Sequence, residues 1–248
     1  MESNTVAEIL DEIQKFWPEL YFHSISVANL ALRMAVDLSV EEVHYKDILV
    51  GALLHDAGKT KIKREILQKP GPLTSTEWKE IKRHPRYGAE WIENRGGNSE
   101  VAAIIRYHHE KWNGEGYVGL KRHQIPFFAR IVAIADALDA MTAPRPYRQA
   151  VEFSRALAEI HIQAGLQFDA SVLSRLRQKD TYRPETYSHP RTIEKQKQVE
   201  KNWLQRLIEI YGDSSHPLII AQSHWVDKLV AASYQLSSDP RGDSAVQV

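Results

Sequence analysis

Apolar residues recur at helical spacing through nearly the whole chain, and histidines and aspartates repeatedly fall on the same rows. Residues 18–35 carry Ile25, Ala28, Ala31, Leu32 and Ala35 on one helix face. Residues 46–55 are almost wholly apolar, which predicts a short helix central in the core. Thr74-Ser75-Thr76-Glu77 reads as a capping-box start for a helix carrying Trp78, Ile81, His84, Gly88 and Trp91. Ser99 is placed to cap the next, with Val101, Ile104, Ile105 and His108. Pro126 suits the first turn of a helix through Ile131, Ile134 and Leu138, and residues 151–165 form another, closed by Gly165. Strand-like alternation is scarce. The predicted class is all-α, a helical bundle.

His23, His55, Asp56, His84, His108, His109 and Asp136 all lie at or beside these apolar faces. Such groups cost several kcal/mol to bury, on the order of 2–7, unless they are paired or bound to metal. One histidine of this kind is ordinarily a hydrogen-bonded core residue. So many together point to a metal site. The chain has no cysteine, so its ligands are nitrogen and oxygen only, which suits iron or manganese, with zinc, cobalt or nickel also compatible. The same absence excludes disulfides, iron–sulfur clusters and a cysteine nucleophile. Balanced charge, 32 basic against 32 acidic residues, argues against a nucleic-acid or membrane-surface role. The N-terminus carries no signal-peptide pattern, and the apolar run 48–54 is too short to span a bilayer. These features predict a soluble, cytoplasmic protein.

The ordered motifs resemble the HD-GYP family of the HD superfamily of metal-dependent phosphohydrolases. His55-Asp56 with Gly58-Lys59 matches its HD-x-GK. Lys69-Pro70-Gly71, Leu73-Thr74 and Glu77-Trp78 match its KPG-x-L-T-x-x-E-W. His84-Pro85 with Gly88 matches H-P-x-x-G, and His108-His109-Glu110 with Gly114, Gly116 and Tyr117 matches HHE-x-x-x-G-x-GYP. Ala135-Asp136, Asp139-Ala140, Arg145-Pro146-Tyr147-Arg148 and Gln167-Phe168-Asp169 continue the pattern. The likeness runs from about residue 18 to 176. It implies one phosphohydrolase domain over 1–176. The composition shifts beyond it, which predicts a partly helical C-terminal extension over 177–248, with a charged helix near 192–211, another near 225–234 and a disordered tail.

The resemblance implies two or three divalent metal ions held by His23, His55, Asp56, His84, His108, His109 and Asp136, with Asp56 bridging. Glu19, one helical turn before His23, is the expected extra ligand; the competing reading is a first-turn acid complementing the helix dipole. Two close cations activate a shared water as the nucleophile, so no protein nucleophile is needed. The implied reaction is hydrolysis of a cyclic dinucleotide, chiefly cyclic di-GMP, to the linear dinucleotide or GMP. Lys59 is expected on the substrate phosphate, Arg145 and Arg148 on the other phosphate or a guanine edge, and Tyr117 against the nucleotide. Asp139 is expected to orient a histidine ligand. Lys59, Lys61, Lys63 and Arg64 form a cationic strip that would steer a dianion.

Three departures stand out. The signature reads Gly116-Tyr117-Val118, without the family proline, which predicts a less rigid loop. Asn113 replaces the usual aspartate, and residues 60–64 replace an I-G-I-P-D-like run. They keep two alternatives open: a degenerate cyclic-dinucleotide receptor or partner-binding module, and a phosphohydrolase for another nucleotide or phosphoester. No sensor or receiver domain is expected before residue 18. Regulation is therefore expected from the extension, from another chain such as a diguanylate cyclase domain or a second copy, or from substrate level.

Overall fold

The structure, a computed structural model, describes residues 3–142 and 151–176, plus eight isolated positions between 198 and 223. Two compact units are distinguished, Met1–Tyr182 and Arg183–Val248. The helices expected over 192–211 and 225–234 and the tail from Ser237 lie outside the described residues, save for those isolated positions.

Ten α-helices make up the described part: α1 Ser3–Phe16, α2 Pro18–Asp37, α3 Tyr45–Leu54, α4 Arg64–Leu67, α5 Ser75–Ile81, α6 His84–Glu93, α7 Ser99–Tyr107, α8 Phe127–Thr142, α9 Phe153–Ile162 and α10 Ala170–Arg175. There is no strand among the described residues, only an isolated bridge between Ala164 and Phe168. The all-α expectation is met. No helix among them is long and apolar enough to cross a membrane.

The core forms where α2, α3, α7 and α8 meet. Ile48, Leu49, Ala52, Leu53 and Leu54 of α3 are all buried, so this helix is surrounded on every side, as its unbroken apolar body requires. Helix α2 turns Ala28, Ala31, Leu32 and Ala35 inward at helical spacing. Helix α1, which the sequence reading did not predict, buries Ile9, Leu10 and Ile13. Each contributes about 1.5–3 kcal/mol of apolar burial.

Two helix boundaries differ from expectation. The row Trp78–Trp91 is not one helix: α5 ends at Ile81 and α6 begins at His84, with Pro85 in its first turn. Proline has no N–H to continue the ladder, so the chain breaks there and leaves Trp78 48% exposed rather than on the core row. Ser99 is not the cap of α7. Asn98 is, its side chain accepting from the Glu100 amide at 2.9 Å. The capping box at Thr74 and Glu77 forms as expected. Lys69 reaches both Glu77 oxygens, at 2.9 and 2.7 Å, so the KPG-x-L-T-x-x-E stretch staples its own loop to α5.

Two glycines set how the helices converge on the site. A Cβ on Gly51 would lie 2.7 Å from Ile104 side-chain atoms, so α3 and α7 cross in close contact there. His55 and His108 each follow this crossing by four residues, and their rings meet with centroids 5.0 Å apart. A Cβ on Gly58 would lie 2.0 Å from the His84 carbonyl oxygen and 2.6 Å from the Gly88 nitrogen. That contact of backbone against backbone brings Asp56 up to His84.

Candidate metal centre

Three histidines reach the site by one device. His55 Nδ1–H donates to the Ala52 carbonyl, His84 Nδ1–H to Ile81 and His108 Nδ1–H to Ile105, each at 2.7 Å and each three residues back. The three acceptors lie in the last turns of α3, α5 and α7, where carbonyls have no intrahelical partner. The break between α5 and α6 is therefore what frees the Ile81 carbonyl for His84. With Nδ1 protonated, each ring presents the lone pair of Nε2.

Those three Nε2 atoms, and Asp56 Oδ1, are buried without any hydrogen-bond partner. Leaving a buried polar atom unsatisfied costs about 1–3 kcal/mol. Four orphaned nitrogen and oxygen donors of this kind fit a divalent metal. Ligand atoms of Asp56, His84, His108 and His109 lie within 4.8 Å of one another; so do those of His23, His55 and Asp136. Every histidine and aspartate expected to bind metal falls into one of these two groups.

Asp56 joins them. Its Oδ1 is 3.1 Å from His84 Nε2 and 4.0 Å from His108 Nε2. Its Oδ2 is 3.4 Å from His55 Nε2 and 3.8 Å from His23 Nε2. One carboxylate thus offers one oxygen to each group. Asp136 Oδ1 stands 3.2 Å from His23 Nε2, and Asp139 accepts from His23 Nδ1 at 2.6 Å, the orienting contact expected of it. Lys59 Nζ lies 2.5 Å from Asp56 Oδ2.

Glu19 is not brought into either group. It is exposed on α2, one turn before His23. Tyr117 packs on the opposite side, its ring centroid 4.7 Å from that of His109 and 6.4 Å from that of His84. Arg145 and Arg148 lie outside the described residues. Of the cationic strip, only Lys59 touches the site; Lys61 sits over the Trp91 ring at 4.3 Å and Arg64 donates to Gln68. His44 and His123, which match no ligand position, pack on Phe128 and Trp112.

Glu110 falls inside the HHE motif without a role that the sequence predicts. The structure buries it at 4% exposure beside His109. Its carboxylate accepts from the amides of Val118, Gly119 and Leu120 at 2.7, 2.8 and 2.6 Å. An acid following a histidine pair and preceding a glycine-rich loop was the available signal. The Val118 amide makes a hydrogen bond to Glu110 that the family proline, lacking an N–H, could not make. The buried Asp169, which lies in a motif without an assigned role, pairs with Arg130 at 2.6 Å where the loop docks through Trp112 and Asn113 on residues 166 and 167.

The electrostatics suit ligation. Burial pushes the His108 imidazole well below its ordinary range, helped by His109, His55 and His84, and pushes His109 down to about 3. Both are neutral donors at physiological pH. Burial opposes the charged form of Asp56, but Lys59 and His55 outweigh it and hold the carboxyl well below its usual range. His23 differs. Burial would lower it, yet hydrogen bonds to Asp136 and Asp139 raise it to about 9. Below pH 9, metal binding must therefore expel one proton from His23. Metal affinity is expected to rise about tenfold per pH unit from near neutrality to pH 9, then flatten. Calorimetry in buffers of different ionisation enthalpy checks this; no proton release at pH 7 would refute it.

Comparison with known proteins agrees with this geometry. The profile of the HD-domain family matches residues 8–172. A cyclic di-GMP phosphodiesterase response regulator of Xanthomonas campestris is 40% identical over 146 residues, covering 58% of this chain and 39% of that protein. A cyclic di-GMP phosphodiesterase of Thermotoga maritima is 36% identical over 174 residues, covering 68% and 47%. A 3'3'-cGAMP-specific phosphodiesterase of Vibrio cholerae is 31% identical over 167 residues, covering 67% and 36%. The chain spans less than half the length of these curated relatives. Among solved structures, a cyclic GMP-AMP-specific phosphodiesterase of V. cholerae superposes with a TM-score of 0.54 at 18% identity, covering 94% of this chain and 60% of that one. An HD-GYP-type protein of Bdellovibrio bacteriovorus gives 0.52 at 24% identity, covering 62% and 50%. At these identities both bear on the fold alone.

Proposed function

This chain belongs to the HD-domain family, and on that premise we propose that it hydrolyses a cyclic dinucleotide, foremost cyclic di-GMP, with two divalent cations, iron or manganese, in its two His/Asp groups. The observation that carries this reading is the straddling carboxylate of Asp56, with one oxygen toward His84 and the other toward His55. The names of the curated relatives support the substrate class.

When bound, such a cation pair lowers the pKa of water towards about 7 and offsets negative charge on a phosphodiester. The chain's own residues set the geometry around it. Helix-end carbonyls lock the rings of His55, His84 and His108, and Asp139 locks His23, so the donors need no rearrangement to bind. Lys59 supplies an ammonium for a nonbridging phosphate oxygen. Since it lies on Asp56 here, that role requires it to leave the carboxylate for the substrate. Tyr117 walls the His84 and His109 side and offers a ring face to a base. Arg145 and Arg148 are assigned to the second phosphate or a guanine edge on the strength of their motif.

The test is incubation of manganese-loaded and anaerobically iron-loaded protein with cyclic di-GMP and with 3'3'-cGAMP, followed by chromatography. Linear dinucleotide is the expected product. Tight binding without any linear product would instead establish a nucleotide receptor. Inactivity on both, with turnover of another phosphoester, would reassign the substrate.

A further inference from the structure

Glu110 is an unusual acid. It is buried and adjacent to His109, and no cation pairs with it among the described residues. Its charge is met instead by three consecutive backbone amides, those of Val118, Gly119 and Leu120. Gly119 stands at φ +97°, a left-handed conformation that turns its amide inward with its neighbours. Gly116 completes the fit: a Cβ there would lie 2.6 Å from Glu110 Cα and 2.7 Å from Glu110 Oε1. The loop therefore wraps the carboxylate with no room for a side chain between them. Tyr117 lies in the middle of this wrap, between Gly116 and the three amides, and its ring rests on His109.

We propose that Glu110 is a positioning residue that fixes Tyr117 over the His84 and His109 side of the site, and that it thereby sets nucleotide affinity without holding metal. The proposal rests on the phosphodiesterase reading for the nucleotide and on geometry alone for the loop. Three amides on one carboxylate demand an acceptor at both oxygens. Oε1 takes Val118; Oε2 takes Gly119 and Leu120. Glutamine has the same size but must turn its NH2 group against at least one of these N–H donors. A glutamate-to-glutamine change, usually mild, is severe here.

Two variants test this. In Glu110→Gln, hydrogen exchange at the amides of residues 118–120 is expected to accelerate about tenfold or more, the scale of a lost hydrogen bond to a charged group. Metal content should equal that of the wild type. KM for cyclic di-GMP should rise about tenfold while kcat changes much less, since a positioning contact to bound nucleotide is lost. Val118→Pro removes one donor and keeps the carboxylate. It should move the same quantities in the same direction by less, with the amides of 119 and 120 still protected. Accelerated exchange with KM unchanged would overturn the positioning role. So would unchanged exchange, or loss of metal in Glu110→Gln. A wild-type protein inactive on the dinucleotide would overturn the phosphodiesterase reading instead. The loop claim would then be decided by amide exchange and by the Tyr117 ring resonance, which must shift in Glu110→Gln if its contact with His109 is released.

Discussion

Asp56→Asn is expected to empty both halves of the site and to lower turnover by about a thousandfold or more, the several kcal/mol that metal-assisted charge stabilisation supplies. Asparagine keeps one acceptor oxygen and loses the other, so it can serve one group only, and without charge. Elemental analysis should show both cations depleted, because Asp56 is the only residue among those described whose oxygens face both groups. Stability should fall as well. Lys59 and His55 hold the Asp56 carboxyl ionised against burial, and a neutral amide loses their attraction. The metal-free variant should therefore melt below the metal-free wild type at neutral pH. Adding metal should stabilise only the wild type, by about 2.7 kcal/mol at a hundredfold excess over Kd. Full metal content in the variant would remove the bridging role of Asp56.

The candidate ligand set was legible because each member is a polar residue on an apolar row, where nothing but a partner or a metal makes burial tolerable. Asp56, His84 and Asp136 could be located from that conflict alone. The device that aims the rings was not legible. It depends on α5 ending at Ile81, and the apolar row through Trp78, His84 and Trp91 concealed that break even though Pro85 announced it. Glu19 shows the limit of spacing arguments. One helical turn puts it on the same side of α2 as His23, but the helix leaves it in solvent while His23 leans into the site. Glu110 escaped for the opposite reason. Its partners are backbone amides, which carry no side-chain signal, and the close fit at Gly116 shows only once the loop is folded.

Gly58→Ala should be among the most damaging single-methyl additions in the chain, at about 3 kcal/mol of lost stability. The added Cβ meets the His84 carbonyl oxygen at 2.0 Å, the Gly88 nitrogen at 2.6 Å and the His84 carbonyl carbon at 2.9 Å. All three are backbone atoms, so no rotamer change relieves the overlap. The turn Ala57–Lys61 must instead move away from the start of α6. That motion opens the 3.1 Å approach of Asp56 Oδ1 to His84 Nε2, so the group containing His84 should lose its cation even in molecules that remain folded. The group of His23, His55 and Asp136 does not depend on α6 and should keep its own more readily. Gly51→Ala provides the contrast. Its Cβ would meet Ile104 at 2.7 Å, but those atoms are a side chain. Truncating Ile104 to alanine makes room, so Gly51→Ala should be substantially rescued in the Ile104→Ala background, with a coupling of about 1–3 kcal/mol by denaturant titration of the four proteins. No side-chain truncation should rescue Gly58→Ala. Rescue by shortening any neighbouring side chain would mean that the turn and α6 are not held backbone against backbone, and that some other contact brings Asp56 to His84.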